Sequence, residues 1–349
     1  MKILVIQQKM IGDVLASTVV CQAIKSKYPD SEVHYMVHSE TTPVIENNPF
    51  IDRIIVFDSK KNKGLLKLIA FGTSLKSEKY DAVIDVYGKW ESIIPTYFSG
   101  AKIRIGQKKW YTSFFYTKTV KPTANIEGSA IYNRLEFAQA LTGEFIPIDF
   151  PKIYLSDSEI QKAKLQLQAQ TDPSYKTIMI GVLGSSLDKS LPFQEMGKML
   201  DFIALKDDVQ LLFNFMPHQE SQAKQIYDLC QPETKDKIIF ELYTKGLRAF
   251  LAVLSQCDAL IGNEGGAINM AKALDIPSFA VFSPWIRKES WSKPSTVSKH
   301  QAVHLQDFLP EIYNGKHPKT FKKQASELYF KFKFEFFRNQ LEVFLKKIS

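Results

Sequence analysis

The sequence predicts an α/β fold in which two domains are each built on a parallel sheet. Three observations carry that prediction. Short β-branched apolar runs alternate with segments of helical spacing through most of the 349 residues. The chain opens on a strand, Lys2 to Gln7, that enters the polar connection Gln8-Lys9-Met10-Ile11-Gly12-Asp13 and then a helix. Residues 257–284, CDALIGNEGGAINMAKALDIPSFAVFSP, read as strand, Gly-Gly turn, helix and strand, the repeating unit of a parallel sheet.

The first helix runs from Ile11 to Tyr28 and is closed by Pro29. The connection before it lies at the carboxyl end of a strand, where open α/β sheets bind ligands. It is not GxGxxG, which disfavours an ordinary dinucleotide site. Asp13 falls in the first helical turn, and two readings fit it: a charge stabilised by the helix dipole, or a catalytic base. Glu32–Val37 and Ile54–Phe57 are the next strands, and the lysine-rich stretch 60–79 contains an amphipathic helix. A strand from Tyr80 to Val86 ends in Tyr87-Gly88-Lys89, followed by a helix at 91–98. Lys102–Gly106 is a short strand whose basic end continues into Lys108-Lys109-Trp110. Basic residues at strand ends suit an acidic acceptor as a cluster, while solvation explains each one singly. A helix at 125–141 leads to a segment rich in Pro, Gly and Asp, where the first domain, 1–155, ends.

The second domain, 156–320, begins with a helix that ends near Pro173. A strand from Thr177 to Val182 then enters Gly184-Ser185-Ser186-Leu187-Asp188-Lys189-Ser190. Small hydroxyl residues, a glycine and a lysine after a strand form a phosphate cradle, though not a Walker motif. A strand at 207–215 and helices at 219–229 and 245–255 precede the Gly265-Gly266 turn. There, two residues without Cβ atoms and a helix N-terminus favour an anion. Glu264 beside that turn calls for a hydroxyl or an N–H partner, because its charge would repel the same anion. A loop with Trp285, Arg287, Lys288 and Trp291 follows. The basic, aromatic stretch 321–347 reads as one long helix that packs back across the first domain, with peripheral membrane contact second.

Composition narrows the function. The formal charge of +8 suits a phosphorylated substrate, an anionic membrane or nucleic acid, but no nucleic-acid motif accompanies it. The N-terminus superficially resembles a signal peptide, yet Gln7, Gln8, Lys9 and Asp13 interrupt its apolar run. No run of about 18 uncharged apolar residues occurs, so a cytosolic protein without a membrane span is expected. Cys21, Cys230 and Cys257 read as buried free thiols, and His300 and His304 lack a third ligand at metal spacing. No metal and no cofactor is expected.

Four segments, in this order, resemble glycosyltransferase family nine, the lipopolysaccharide heptosyltransferases. They are MKILVIQQKMIGDVLASTVVCQAIKSKYPDSEVHYMV, NPFIDRIIVFD, the strand entering DVYGKWES with AKIRIGQKK, and IGNEGGAINMAKALDIPSFAVFSP. The resemblance implies a GT-B architecture, two Rossmann-like domains facing across a cleft, and an inverting, metal-independent transfer from ADP-heptose. It implies an acceptor at the inner core of lipopolysaccharide, on the cytoplasmic face of the inner membrane. Asp13 matches the family's IGD aspartate and would be the base; Lys189 matches the lysine that holds the donor diphosphate. Ser185, Ser186, Gly265 and Gly266 would join it, Glu264 would meet the donor sugar, and Lys245 would line the nucleobase pocket. Lys9, Gly12, Lys89 and Arg104 are the acceptor-side residues on this resemblance.

The chain also departs from the family pattern. Lys9-Met10 replaces a Ser-Ser pair, Glu264-Gly265 replaces Asp-Ser or Asp-Thr, and Asn269 replaces a histidine. Asn269 can hydrogen-bond but cannot carry a proton charge. A different sugar or nucleotide fits these changes. So does a GT-B-like protein that binds a nucleotide or glycan without catalysing transfer, or a sugar-nucleotide epimerase or hydrolase.

Overall fold

The computed structural model describes residues 1–121, 129–148, 150–240, 242, 244–288 and 299–348. They form two compact units, Met1–Tyr154 and Leu155–Ser349. In the first, the strands are β1 (Lys2–Ile6), β2 (Glu32–Val37), β3 (Arg53–Val56), β4 (Ala82–Asp85), β5 (Ile103–Gln107) and β6 (Lys118–Val120). Among the described residues they pair in parallel in the order β3-β2-β1-β4-β5-β6. Between them run the helices α1 (Ile11–Lys27), α2 (Leu65–Ser74) and α3 (Trp90–Phe98), and α4 (Ser129–Thr142) follows β6. Ile3 to Ile6, Val83 and Ile84 are fully buried. Continuous apolar runs of this kind mark central parallel strands covered on both faces.

The second unit repeats the plan. Its strands are β7 (Lys176–Gly181), β8 (Val209–Asn214), β9 (Ile238–Ile239), β10 (Ala259–Asn263), β11 (Ser278–Val281) and β12 (His300–Val303). Among the described residues their order is β12-β11-β10-β7-β8-β9, again parallel. The helices are α5 (Asp157–Gln168), α6 (Phe193–Ala204), α7 (Glu220–Leu229), α8 (Pro232–Lys235), α9 (Leu247–Leu254), α10 (Gly266–Ala273), α11 (Pro310–Tyr313), α12 (Ala325–Lys331) and α13 (Phe334–Ile348). The short strands β6, β9 and β12 are absent from the sequence reading. The start of the helix expected at 125 lies outside the described residues, as does Trp291.

The C-terminal expectation needs correction in one respect. Residues 321–347 are not one helix: a 3₁₀ turn, α12 and α13 follow one another, with a break at Phe332 and Lys333. The break turns Phe332 and Phe334 inward, and the Phe334 N–H donates to buried Glu195 Oε2 at 2.9 Å, which caps α13. The buried face of α13 packs within the second unit. Phe337, Leu341, Phe344 and Leu345 belong to the core of the second unit, where the Phe344 ring lies 5.6 Å from that of Phe279 on β11. An amphipathic helix seeks the nearest unpaired apolar face, and α6 with Phe279 of β11 supplies one.

One ion pair ties α5 to α9. Arg248 Nε and Nη2 each donate to Glu159 at 2.6 Å, and the guanidinium holds that carboxyl at about 2, well below 4.5. A carboxyl held low in the folded state stabilises above its unfolded pKa and loses that contribution as pH falls. Unfolding stability is therefore expected to drop as pH falls from about 4.5 toward 2. Arg248→Gln should lose about 1–2 kcal/mol at neutral pH and show a flatter acid limb in urea titrations.

Candidate active site

Strand order reverses between β1 and β4 in the first unit and between β7 and β10 in the second. In open α/β sheets the crevice at such a point binds ligands at the carboxyl ends of the strands. Most of the predicted site residues lie on the connections at these two places, Arg104 and Lys245 excepted.

In the first unit, Lys9 follows β1 and Lys89 follows β4. Lys9 Nζ lies 3.7 Å from Glu91 Oε2, and Gln8 Nε2 donates to the Glu91 carbonyl at 3.3 Å, so the two connections are linked. Asp13 opens α1, next to Gly12, with its side chain 39% exposed. Its Oδ1 accepts from Arg134 Nη2 at 2.6 Å, while Arg134 Nε donates to Ser17 Oγ at 2.9 Å. Arg134 stands on α4, which packs along α1, and it holds the carboxylate by one oxygen. The sequence reading missed this residue.

It also missed Asp85, the last residue of β4 and fully buried. Asp85 accepts from the Gly88 N–H at 2.8 Å, from Ser92 Oγ at 2.9 Å and from Tyr116 Oη at 2.7 Å. Burial outweighs these donors and pushes its carboxyl up. The three bonds fix the turn that carries Lys89. Arg104, by contrast, does not join the group. Near the amino end of β5, its side chain donates to the Phe115 and Ala101 carbonyls at 3.1 and 2.8 Å and lies over the Tyr97 ring.

In the second unit, the cradle 184–190 follows β7 and the Gly-Gly turn follows β10. These strands approach so closely that a Cβ on Gly262 would sit 2.3 Å from the Gly181 carbonyl oxygen, and Gly262 has φ +150°. Only glycine fits there. Asn263, 5% exposed, joins the two turns: its Nδ2 donates to the Gly181 and Val182 carbonyls and its Oδ1 accepts from the Leu191 N–H at 2.7 Å. Gly265 caps α10 at φ +149°, with open space where a side chain would stand. The first N–H groups of a helix have no carbonyl within it to bond, so a ligand can take them.

Glu264 sits beside that opening. Its Oε1 is buried and has no hydrogen-bond partner among the described residues. Burial raises its pKa, the Lys189 charge opposes the rise, and Asp188 adds to it. Lys189 Nζ lies 5.6 Å from the centre of the Trp285 ring, and Trp285 Nε1 donates to the Asp188 carbonyl at 3.2 Å. Ser185 and Ser186 are exposed at the turn, where the Ser186 hydroxyl donates to Asp188. Asn269 is half-buried in the first turns of α10. Lys245 is exposed just ahead of α9. Cys21, Cys230 and Cys257 are buried free thiols, as expected.

A cation, helix-terminal amides and an unsatisfied carboxylate around one opening can bind an anion that also carries hydroxyls. A sequence profile described as glycosyltransferase family 9 (heptosyltransferase) matches residues 68–308. Lipopolysaccharide heptosyltransferase 1 of Campylobacter coli is 26% identical over 291 residues, which is 81% of this chain and 84% of the relative. The glycosyl transferase family 9 structure from Veillonella parvula superposes with a TM-score of 0.75 at 16% identity, covering 95% of this chain and 98% of that one. Escherichia coli heptosyltransferase WaaC, solved with ADP-2-deoxy-2-fluoro heptose, gives a TM-score of 0.67 at 16% identity, covering 95% and 99%. The fold is that of the GT-B glycosyltransferases. The chain is a glycosyltransferase and belongs to glycosyltransferase family 9.

Proposed function

We propose that the protein transfers heptose from ADP-heptose to the inner core of lipopolysaccharide, inverting the anomeric centre. One observation carries the reading: the Gly265-Gly266 opening, with Lys189 and the unpartnered Glu264 oxygen beside it. A diphosphate suits the cation and the amides, and a sugar hydroxyl suits the carboxylate. The name of the Campylobacter coli relative supports the acceptor class, and the ligand in the WaaC structure supports the donor.

In the reaction, the acceptor hydroxyl oxygen bonds to the anomeric carbon as the bond from that carbon to the diphosphate breaks. The hydroxyl proton passes to the Asp13 oxygen that Arg134 leaves open. ADP departs with the electron pair, its charge met by Lys189 and the Gly265 and Gly266 N–H groups. Ser185 and Ser186 assist at the diphosphate, Asn269 at the donor sugar and Lys245 at the nucleobase. Lys9, Gly12 and Lys89 meet the acidic acceptor, at the cytoplasmic face of the membrane that holds it. No step calls for a metal.

Titration of the protein with ADP-heptose, ADP and UDP-, GDP- and CMP-linked sugars tests this. Selective ADP-heptose binding is expected. Selective binding of another sugar nucleotide would overturn the donor assignment, and binding of none would overturn the role given to the second unit.

A further inference from the structure

We propose that the aromatic surface formed by α3 and the 108–115 connection of the first unit docks on an anionic lipid bilayer. Helix α3 buries Ile93 and Ile94 and leaves Trp90 and Tyr97, two turns apart, on its outer face. The 3₁₀ turn Ser113–Phe115 lies against that face. There the Phe115 ring is 5.9 Å from Trp90, 5.3 Å from Tyr97 and 4.1 Å from Phe114. Among the described residues nothing covers the outer rings: Trp110 is 92% exposed, Phe114 71% and Trp90 52%. The Trp90, Tyr97, Phe114 and Phe115 rings form a contiguous aromatic surface, with Trp110 exposed four residues before Phe114 in the same connection, and such a surface marks an interaction site.

Charge selects the occupant. Lys89 precedes Trp90 and Lys108 stands two residues before Trp110, and both are exposed. The cores of protein–protein interfaces are poor in lysine. Tryptophan and tyrosine interleaved with lysine, in contrast, are the composition of surfaces that settle at the headgroup level of a bilayer with anionic lipid. The net charge of +8 acts in the same direction. The surface deepens the function proposed above, since a glycolipid acceptor lies in a membrane, but its test uses no sugar nucleotide and can fail separately.

The test is co-sedimentation with vesicles of equal parts phosphatidylglycerol and phosphatidylethanolamine, against vesicles of phosphatidylcholine. The full chain should bind the anionic vesicles more tightly, and Trp110→Ser/Phe114→Ser should weaken that binding by at least about tenfold. Both side chains are exposed, so thermal stability should be unchanged. Lys108→Glu should weaken anionic binding and spare the weak binding to phosphatidylcholine. Brominated lipid should quench wild-type tryptophan emission and lose most of that effect in the double variant. Equal vesicle binding by wild type and double variant overturns the proposal, as does no binding by wild type. A dimer in sedimentation velocity that the double substitution dissolves would assign the surface to a second copy of the chain and overturn it too.

Discussion

Asp13→Asn is expected to lower kcat for sugar transfer by about 10²–10⁴-fold, with donor affinity nearly unchanged. The substitution is close to isosteric, and the amide oxygen can still accept from Arg134 Nη2, so the contact between α1 and α4 survives. What is lost is the ability to take the acceptor proton. Asp13→Ala would be a poorer test, because it also leaves Arg134 without its carboxylate and confounds chemistry with packing. Transfer by Asp13→Asn at the wild-type rate would end the base assignment. Single-turnover rates with saturating donor isolate the step.

Lys189→Ala is expected to raise the donor Kd by about 10–100-fold and to lower kcat by about 10²-fold, since the charge it meets grows as the diphosphate departs. Lys189→Arg should recover part of the binding and less of the rate, because a guanidinium fork does not reproduce a point charge. Trp285 provides the readout: its ring lies 5.6 Å from Lys189 Nζ, so donor binding should change its emission. A kcat change without a Kd change would confine Lys189 to the transition state. No change in either would remove it from the site.

Much of this was legible in the chain. The alternation of apolar runs and helical segments gave the two parallel sheets, and the turns after β1, β7 and β10 stood out because polar, glycine-containing stretches ended buried strands. The residues that escaped notice act through partners distant in sequence. Arg134 meets Asp13 across 121 positions, and Tyr116 meets Asp85 across 31. Neither spacing carries a periodic signal. Asn263 carries no signal in the sequence that sets it apart, yet it ends a strand and is fully engaged by the segment next to it. The C-terminal helix shows the complementary limit: a phenylalanine-rich face says that something will be buried and nothing about which surface receives it. Arg104 shows it too, since a basic residue in a short strand can serve either end of the sheet.

The double reach of Asn263 has a consequence for how a ligand is received. One buried amide ties the end of β10 to backbone groups on both sides of the cradle after β7, so the two turns cannot drift apart independently. A molecule that touches both meets a surface already assembled, and the entropy of ordering two loops has been lost at folding and not at binding. Affinity at one turn then depends on a buried amide that ties it to the other, and calorimetry would register its removal mainly in the entropy of binding.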